Sequence, residues 1–138
     1  MRRIARAGAL CAAGLVGMLA GVALGQQQRM PPAESTGFRT EVLATLDLEN
    51  EIDGMAGRQL RMRRITIEPG GQFALHDHRD RPGLFYVQEG TITDYPEGAD
   101  GAEHSAGQVV AVGFRTRHWE ENRGTDPVVV IAVDIIKK

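Results

Sequence analysis

From Phe38 to the C-terminus the chain is interrupted at short intervals by Gly, Pro or Asp, and no segment between the breaks carries a long helical apolar period. Short apolar runs about 8–12 residues apart, with turn residues between them, bury their side chains by pairing edge to edge as the strands of a barrel or sandwich. The spacing therefore predicts an all-β fold. Strands are expected at Arg58–Ile67, Gln72–His78, Leu84–Gln88, Thr91–Tyr95, Glu103–Ser105, Val109–Val112 and Val128–Ile136. In the first of these, Leu60 and Met62 share one parity and Ile65 and Ile67 the other, which predicts a bulge or face change near Arg63-Arg64. Pro69-Gly70-Gly71 reads as a turn. The β-branched run Val128–Val133 reads as a strand buried on both faces. Only Thr45–Gly57 stays open, since Leu46, Leu48 and Ile52 fit a loop or a short helix.

Residues 1–25 have a different character. Arg2, Arg3 and Arg6 precede an uncharged apolar run from Ala7 to Leu24, and Ala23-Leu24-Gly25 places small residues where a signal peptidase requires them. This is the pattern of a secretory signal cleaved before Gln26, giving a periplasmic or secreted protein with no stable membrane insertion after cleavage. The alternative is an N-terminal membrane anchor, since the run is at the short end of a spanning helix. Its glycines weaken it as a helix. Gln26–Gly37, with Pro31-Pro32, reads as a flexible tether, leaving 38–138 as one domain.

Without the arginines of the signal, the remainder carries 13 basic and 18 acidic residues. That acidic balance argues against a nucleic-acid partner, whose phosphates call for a basic face. The one cysteine, Cys11, lies within the signal, so the mature domain has no disulfide. Its stability rests on its core or on a bound metal.

Chemistry concentrates in the histidines. His76-Asp77-His78 sits on an expected strand, where a spacing of two places both imidazoles on one face. Such a pair is half of a site for Fe, Mn, Zn, Cu or Ni, although a lone His-x-His also occurs as a surface pair. Two longer spacings decide between these. Gly70 is followed by five residues, His76-Asp77-His78, four residues, Gly83, six residues and Gly90. Gly107 is followed by five residues, Gly113-Phe114-Arg115, two residues, His118, three residues and Asn122.

Together these sets resemble the two motifs of the cupin family, over about Arg58–Asp134. The resemblance implies a single jelly-roll (double-stranded β-helix) barrel. It implies a divalent transition metal held by His76, His78 and His118, with Gly70, Gly90, Gly107 and Asn122 as structural positions. A small-molecule ligand and a homodimer are further family-level expectations. Three departures stand out: Gly83 occupies the position of the family's glutamate ligand, and Gly113 and Arg115 replace a Pro and a Gly. A neutral three-histidine set leaves a divalent cation its full charge and open positions, suited to an anionic, chelating molecule.

Around this set, Gly83 makes room for a ligand and Phe85, of the same parity, is a candidate wall, with Tyr86 outward. Arg64 is a candidate inward anion-binding group. Asp80 and Glu120 are the carboxylates able to replace the missing ligand, each otherwise a surface charge, and Asp77 and His104 are expected in solvent. Trp119 is expected to pack outside the barrel mouth, Asn122 to hold a turn through its amide, and Asp134 to have a partner or lie at the rim, since a lone buried carboxylate is costly. Two functions fit: a metal-dependent oxygenase, isomerase or lyase, or a non-catalytic protein that binds a small molecule or metal.

Overall fold

The structure is a computed structural model and describes residues 29–138; the expected signal at 1–25 lies outside the described residues. Eight strands follow one another: β1 (Thr36–Asp47), β2 (Arg58–Asp77), β3 (Gly83–Glu89), β4 (Thr91–Pro96), β5 (Ala102–Ser105), β6 (Val109–Val112), β7 (Arg117–Glu121) and β8 (Val128–Lys137). They are hydrogen-bonded in the order β5-β4-β7-β2-β8-β3-β6, with β1 on β2. All the pairings are antiparallel. Among the described residues no helix is long and apolar enough to cross a membrane.

β2 organises the barrel. Its first half pairs with β8, from Arg58↔Lys137 to Ile67↔Val128, and its second half with β7, from Gln72↔Glu121 to Asp77↔Arg117. The turn expected at Pro69-Gly70-Gly71 is therefore a corner inside one continuous strand. Gly70 takes a φ of +75°, a conformation open to glycine, and swings the strand from one leaf to the other. Asn122 keeps the corner bonded: Gly70 N–H donates to its carbonyl, and its own N–H donates to Gly71 O, both at 2.9 Å.

The bulge expected near Arg63-Arg64 lies on the partner strand instead. The β2–β8 register is unbroken through this stretch, and the shift falls in β1 between Val42 and Ala44, opposite Arg63 and Met62. With β2 regular here, Ile65 and Ile67 lie on the same side as Arg61 and Arg63, while Met62 and Arg64 are exposed. β8 is fully buried on one face only: Val128, Val130, Ala132 and Asp134 are buried, and Val129, Ile131 and Val133 are half-buried. The core unites Ile67, Phe85, Val87, Ile92, Val112, Val128, Val130 and Ala132.

Two strands lay outside the sequence expectations. β1 begins within the segment read as a tether and is exposed along its whole length, as an edge strand. From Leu48 to Gly57 the chain runs in turns, closed by Leu48 N–H to Arg58 O at 3.1 Å. β7, Arg-His-Trp-Glu-Glu, has no apolar alternation because its inward positions carry the polar groups of the site.

Candidate metal centre

His76 and His118 are cross-strand partners in the β2–β7 register, and His78 follows one pleat further along the chain. This juxtaposition draws the three rings together, with centroids 4.6 to 5.1 Å apart. One ligating atom from each lies within 4.8 Å of the others.

Each ring is held through Nδ1 by an oxygen that can only accept. His76 Nδ1–H donates to Ala74 O at 3.0 Å, His78 Nδ1–H to Arg81 O at 3.0 Å, and His118 Nδ1–H to Asp94 Oδ1 at 2.7 Å. Neutral rings so bonded carry their lone pairs on Nε2. His78 Nε2 and His118 Nε2 stand 2.9 Å apart. Two nitrogens bound side by side to one cation at about 2.1 Å from each, at a right angle, would stand about 3.0 Å apart. The donor set thus fits a divalent transition metal. Burial pushes His78 down and His76 down to about 4, keeping both neutral as ligands must be. At His118 burial acts in the same direction, but the Asp94 hydrogen bond and the Glu120 charge outweigh it and raise the ring.

Asp94 belongs to this cluster, and the sequence reading passed over it. It pairs with Glu120 across β4 and β7 and is buried beside His118. Its signal was parity: on β4 it alternates with the core residue Ile92, so it points inward. Glu120 is also no surface charge. It is 8% exposed, with Oε1 3.7 Å from His118 Nε2, and its Oε2 is buried without a hydrogen-bond partner among the described residues. Burial raises its carboxyl to about 7, with His118 pulling it down and Asp94 pushing it up.

His76 and His78 line a cavity of about 320 Å³ together with Arg63, Arg81, Gly83, Phe85, Glu120 and Asp134, with His118 buried behind them. Gly83 and Phe85 both line this cavity, and Tyr86 is exposed. Arg64 does not line it: it faces away and pairs with Glu41 at 3.2 Å. Its neighbour Arg63 lines the cavity, bonded to Asp134 Oδ2 at 2.9 Å, while Arg61 grips the same carboxylate with Nε and Nη2. Gly83 does more than clear space, because a Cβ there would meet Val133 O at 2.5 Å. The family's glutamate cannot be accommodated while β8 lies so close.

The remaining positions have structural roles. Gly90 and Gly107 take positive φ. The Asn122 amide donates to Ile67 O at 3.0 Å and Asp126 O at 2.8 Å, and its Oδ1 accepts from Gly124 N–H. Trp119 is buried, stacked on Tyr95 with centroids 4.0 Å apart. Asp77 is exposed, and Asp80 is at the surface with Lys137 at 2.8 Å. His104 is only partly exposed, with Nε2 3.9 Å from Asp94.

The sequence profile described as Cupin domain matches residues 63–134. Among solved structures, KdgF from a Halomonas species superposes with a TM-score of 0.55 at 18% identity, over 71% of this chain and 78% of that one. Ectoine synthase from P. lautus gives 0.56 at 16% identity, over 73% and 65%. The cupin domain of Cnp3 from Schizosaccharomyces pombe gives 0.57 at 10% identity, over 76% and 64%. At these identities the likeness is one of fold. No curated protein sequence matches the chain.

Proposed function

The chain belongs to the cupin-domain family, and from that premise we propose that it is an exported protein that holds a divalent transition metal through His76, His78 and His118 and takes up a small anionic molecule at the barrel mouth. The observation that carries this reading is the convergence of three imidazoles, each fixed at Nδ1 by an accepting oxygen. Anchors of this kind orient metal-binding histidines and raise their basicity. The export component rests on the basic and apolar character of residues 1–25.

When bound, Fe, Mn, Zn, Cu or Ni would supply Lewis-acid polarisation of a ligand oxygen or activation of water or dioxygen. The protein's own contributions are distinct. The three anchored rings present their remaining nitrogens, Phe85 and Val112 form apolar walls, and Glu120 places a carboxyl beside His118. An oxygenase, isomerase or lyase acting on a compact acid is the reaction class this arrangement suits. The same barrel serves proteins as different as an ectoine synthase and the cupin domain of Cnp3, so fold alone does not separate catalysis from binding.

Elemental analysis of the protein purified from the periplasm tests the metal. About one equivalent of a transition metal is expected, lost in His118→Ala; less than about a tenth of an equivalent, with no reloading, would overturn the reading. N-terminal sequencing tests export, with a mature start near Gln26 expected and a full-length, membrane-bound chain contradicting it.

A further inference from the structure

The polar groups of the cavity can be sorted by whether the protein already satisfies them. Arg63 Nη2 is spent on Asp134, although Arg63 Nε is buried without a hydrogen-bond partner among the described residues, and the three histidines spend Nδ1 on their anchors. Two further groups of the cavity are left over. Among the described residues, Glu120 Oε2 is buried with no hydrogen-bond partner, and no carboxylate lies within ion-pair distance of the half-buried Arg81. Both residues line the same cavity.

Arg81 is also held in place by its backbone. Its N–H donates to His78 O at 3.1 Å, its carbonyl accepts from His78 Nδ1, and the next carbonyl, of Pro82, accepts from Ile135 N–H. The side chain thus springs from a turn clamped on both sides, next to a metal-ligating ring.

A guanidinium without a carboxylate is completed by one, because its planar fork matches two carboxylate oxygens. A buried carboxyl oxygen without a partner is completed by a hydroxyl, which donates to a carboxylate and accepts from a carboxylic acid. A cavity of about 320 Å³ keeps the molecule that does both compact. We propose that the site binds a small hydroxy-carboxylic acid, its carboxylate on Arg81 and its hydroxyl on Glu120. This inference rests on the small-molecule reading of the same cavity and adds the class of its ligand.

Lactate, propionate and lactamide separate the two contacts, because propionate lacks the hydroxyl and lactamide the charge. Calorimetric titration of the purified protein, with metal content measured on the same samples, is expected to show lactate binding about tenfold or more tighter than either analogue. Arg81→Ala should weaken lactate about tenfold or more and leave metal content unchanged, with Arg81→Lys recovering part of the loss. Glu120→Leu should bring lactate down to the affinity of propionate without loss of metal.

Unchanged lactate affinity in Arg81→Ala, a retained lactate preference in Glu120→Leu, or no binding of lactate tighter than about 10 mM overturns the proposal. Loss of metal in a folded Glu120→Leu also overturns it, since Glu120 would then serve the metal. If Glu120→Leu fails to fold, the Arg81 variants and the lactate–lactamide comparison still decide. A metal-free protein with the full lactate pattern would refute the metal reading alone, whereas a metal-replete protein indifferent to Arg81 would refute this one alone.

Discussion

His118 Nδ1 and Asp94 Oδ1 lie 2.7 Å apart in the barrel interior, so a residue of β4 governs the orientation of a ring on β7. The ring itself is 1% exposed. Asp94→Asn keeps the shape but removes the charge that makes the ring a better donor. Metal affinity is expected to fall about 10–100-fold, as when such supporting carboxylates are lost. Competition with a chromophoric chelator measures it, and an unchanged affinity would mean that the contact does not bear on the metal.

Asp134 links acid stability to the same end of the barrel. Burial favours its neutral form, but the Arg61 hydrogen bond and the charges of Arg63 and Arg61 outweigh this and hold its pKa below the usual value. A carboxyl with a depressed folded pKa contributes stability above its unfolded value, near 4, and loses it as pH falls through the folded value. Wild-type stability is therefore expected to drop below about pH 4 by an amount that Asp134→Asn lacks. At neutral pH the variant should be less stable by about 3–5 kcal/mol, since Arg63 is left without its counter-charge. Urea unfolding at pH 7 and pH 3 reads both effects, and equal acid sensitivity in the two proteins would contradict this account.

Asn122 binds the corner of β2 to the loop before β8. Asn122→Ala strands Ile67 O, Asp126 O and Gly124 N–H together, each having lost a side-chain partner. A loss of about 2–4 kcal/mol is expected, given about 1–3 kcal/mol for a buried group left unsatisfied and some relief from water. For a domain of this size that is a fall in Tm of roughly 10–25 °C. Calorimetry tests it, and a Tm within about 3 °C of wild type would assign the corner's rigidity to Gly70 and Gly71 instead.

Phe85 packs in the core and faces the cavity. Phe85→Ala removes the ring and enlarges the cavity, with an expected cost of about 3–5 kcal/mol. Metal content should be unchanged in the folded fraction, because the ring donates nothing to the imidazoles. Parallel denaturation and elemental analysis distinguish a wall from a support of the metal centre.

The three histidines were legible because their positions follow from strand parity and motif spacing, both written in the linear sequence. Asp94 and Glu120 were harder to place. The approach of Asp94 to His118 depends on the β4–β7 register, and Glu120 shares with His118 a strand, β7, that carries too few apolar residues to announce itself. Arg64 and Arg63 were exchanged for a related reason. A bulge assigned to β2 belongs to β1, and a shift of one residue sends every side chain to the other face. The corner at Gly70 was read as a turn because Pro-Gly-Gly is turn chemistry. What keeps the strand continuous there is a hydrogen bond to Asn122, more than fifty residues away.

A glycine codon can become a glutamate codon through one base change, so the family's fourth ligand is a single step away in genetic terms. The backbone of β8 closes that step: a Cβ at position 83 would stand 2.5 Å from Val133 O and 3.0 Å from the Cβ of Asp134. This chain could take up the glutamate only if β8 moved outward. Moving it would disturb the Arg61–Asp134–Arg63 cluster. The three-histidine set is therefore guarded by packing outside the ligands themselves.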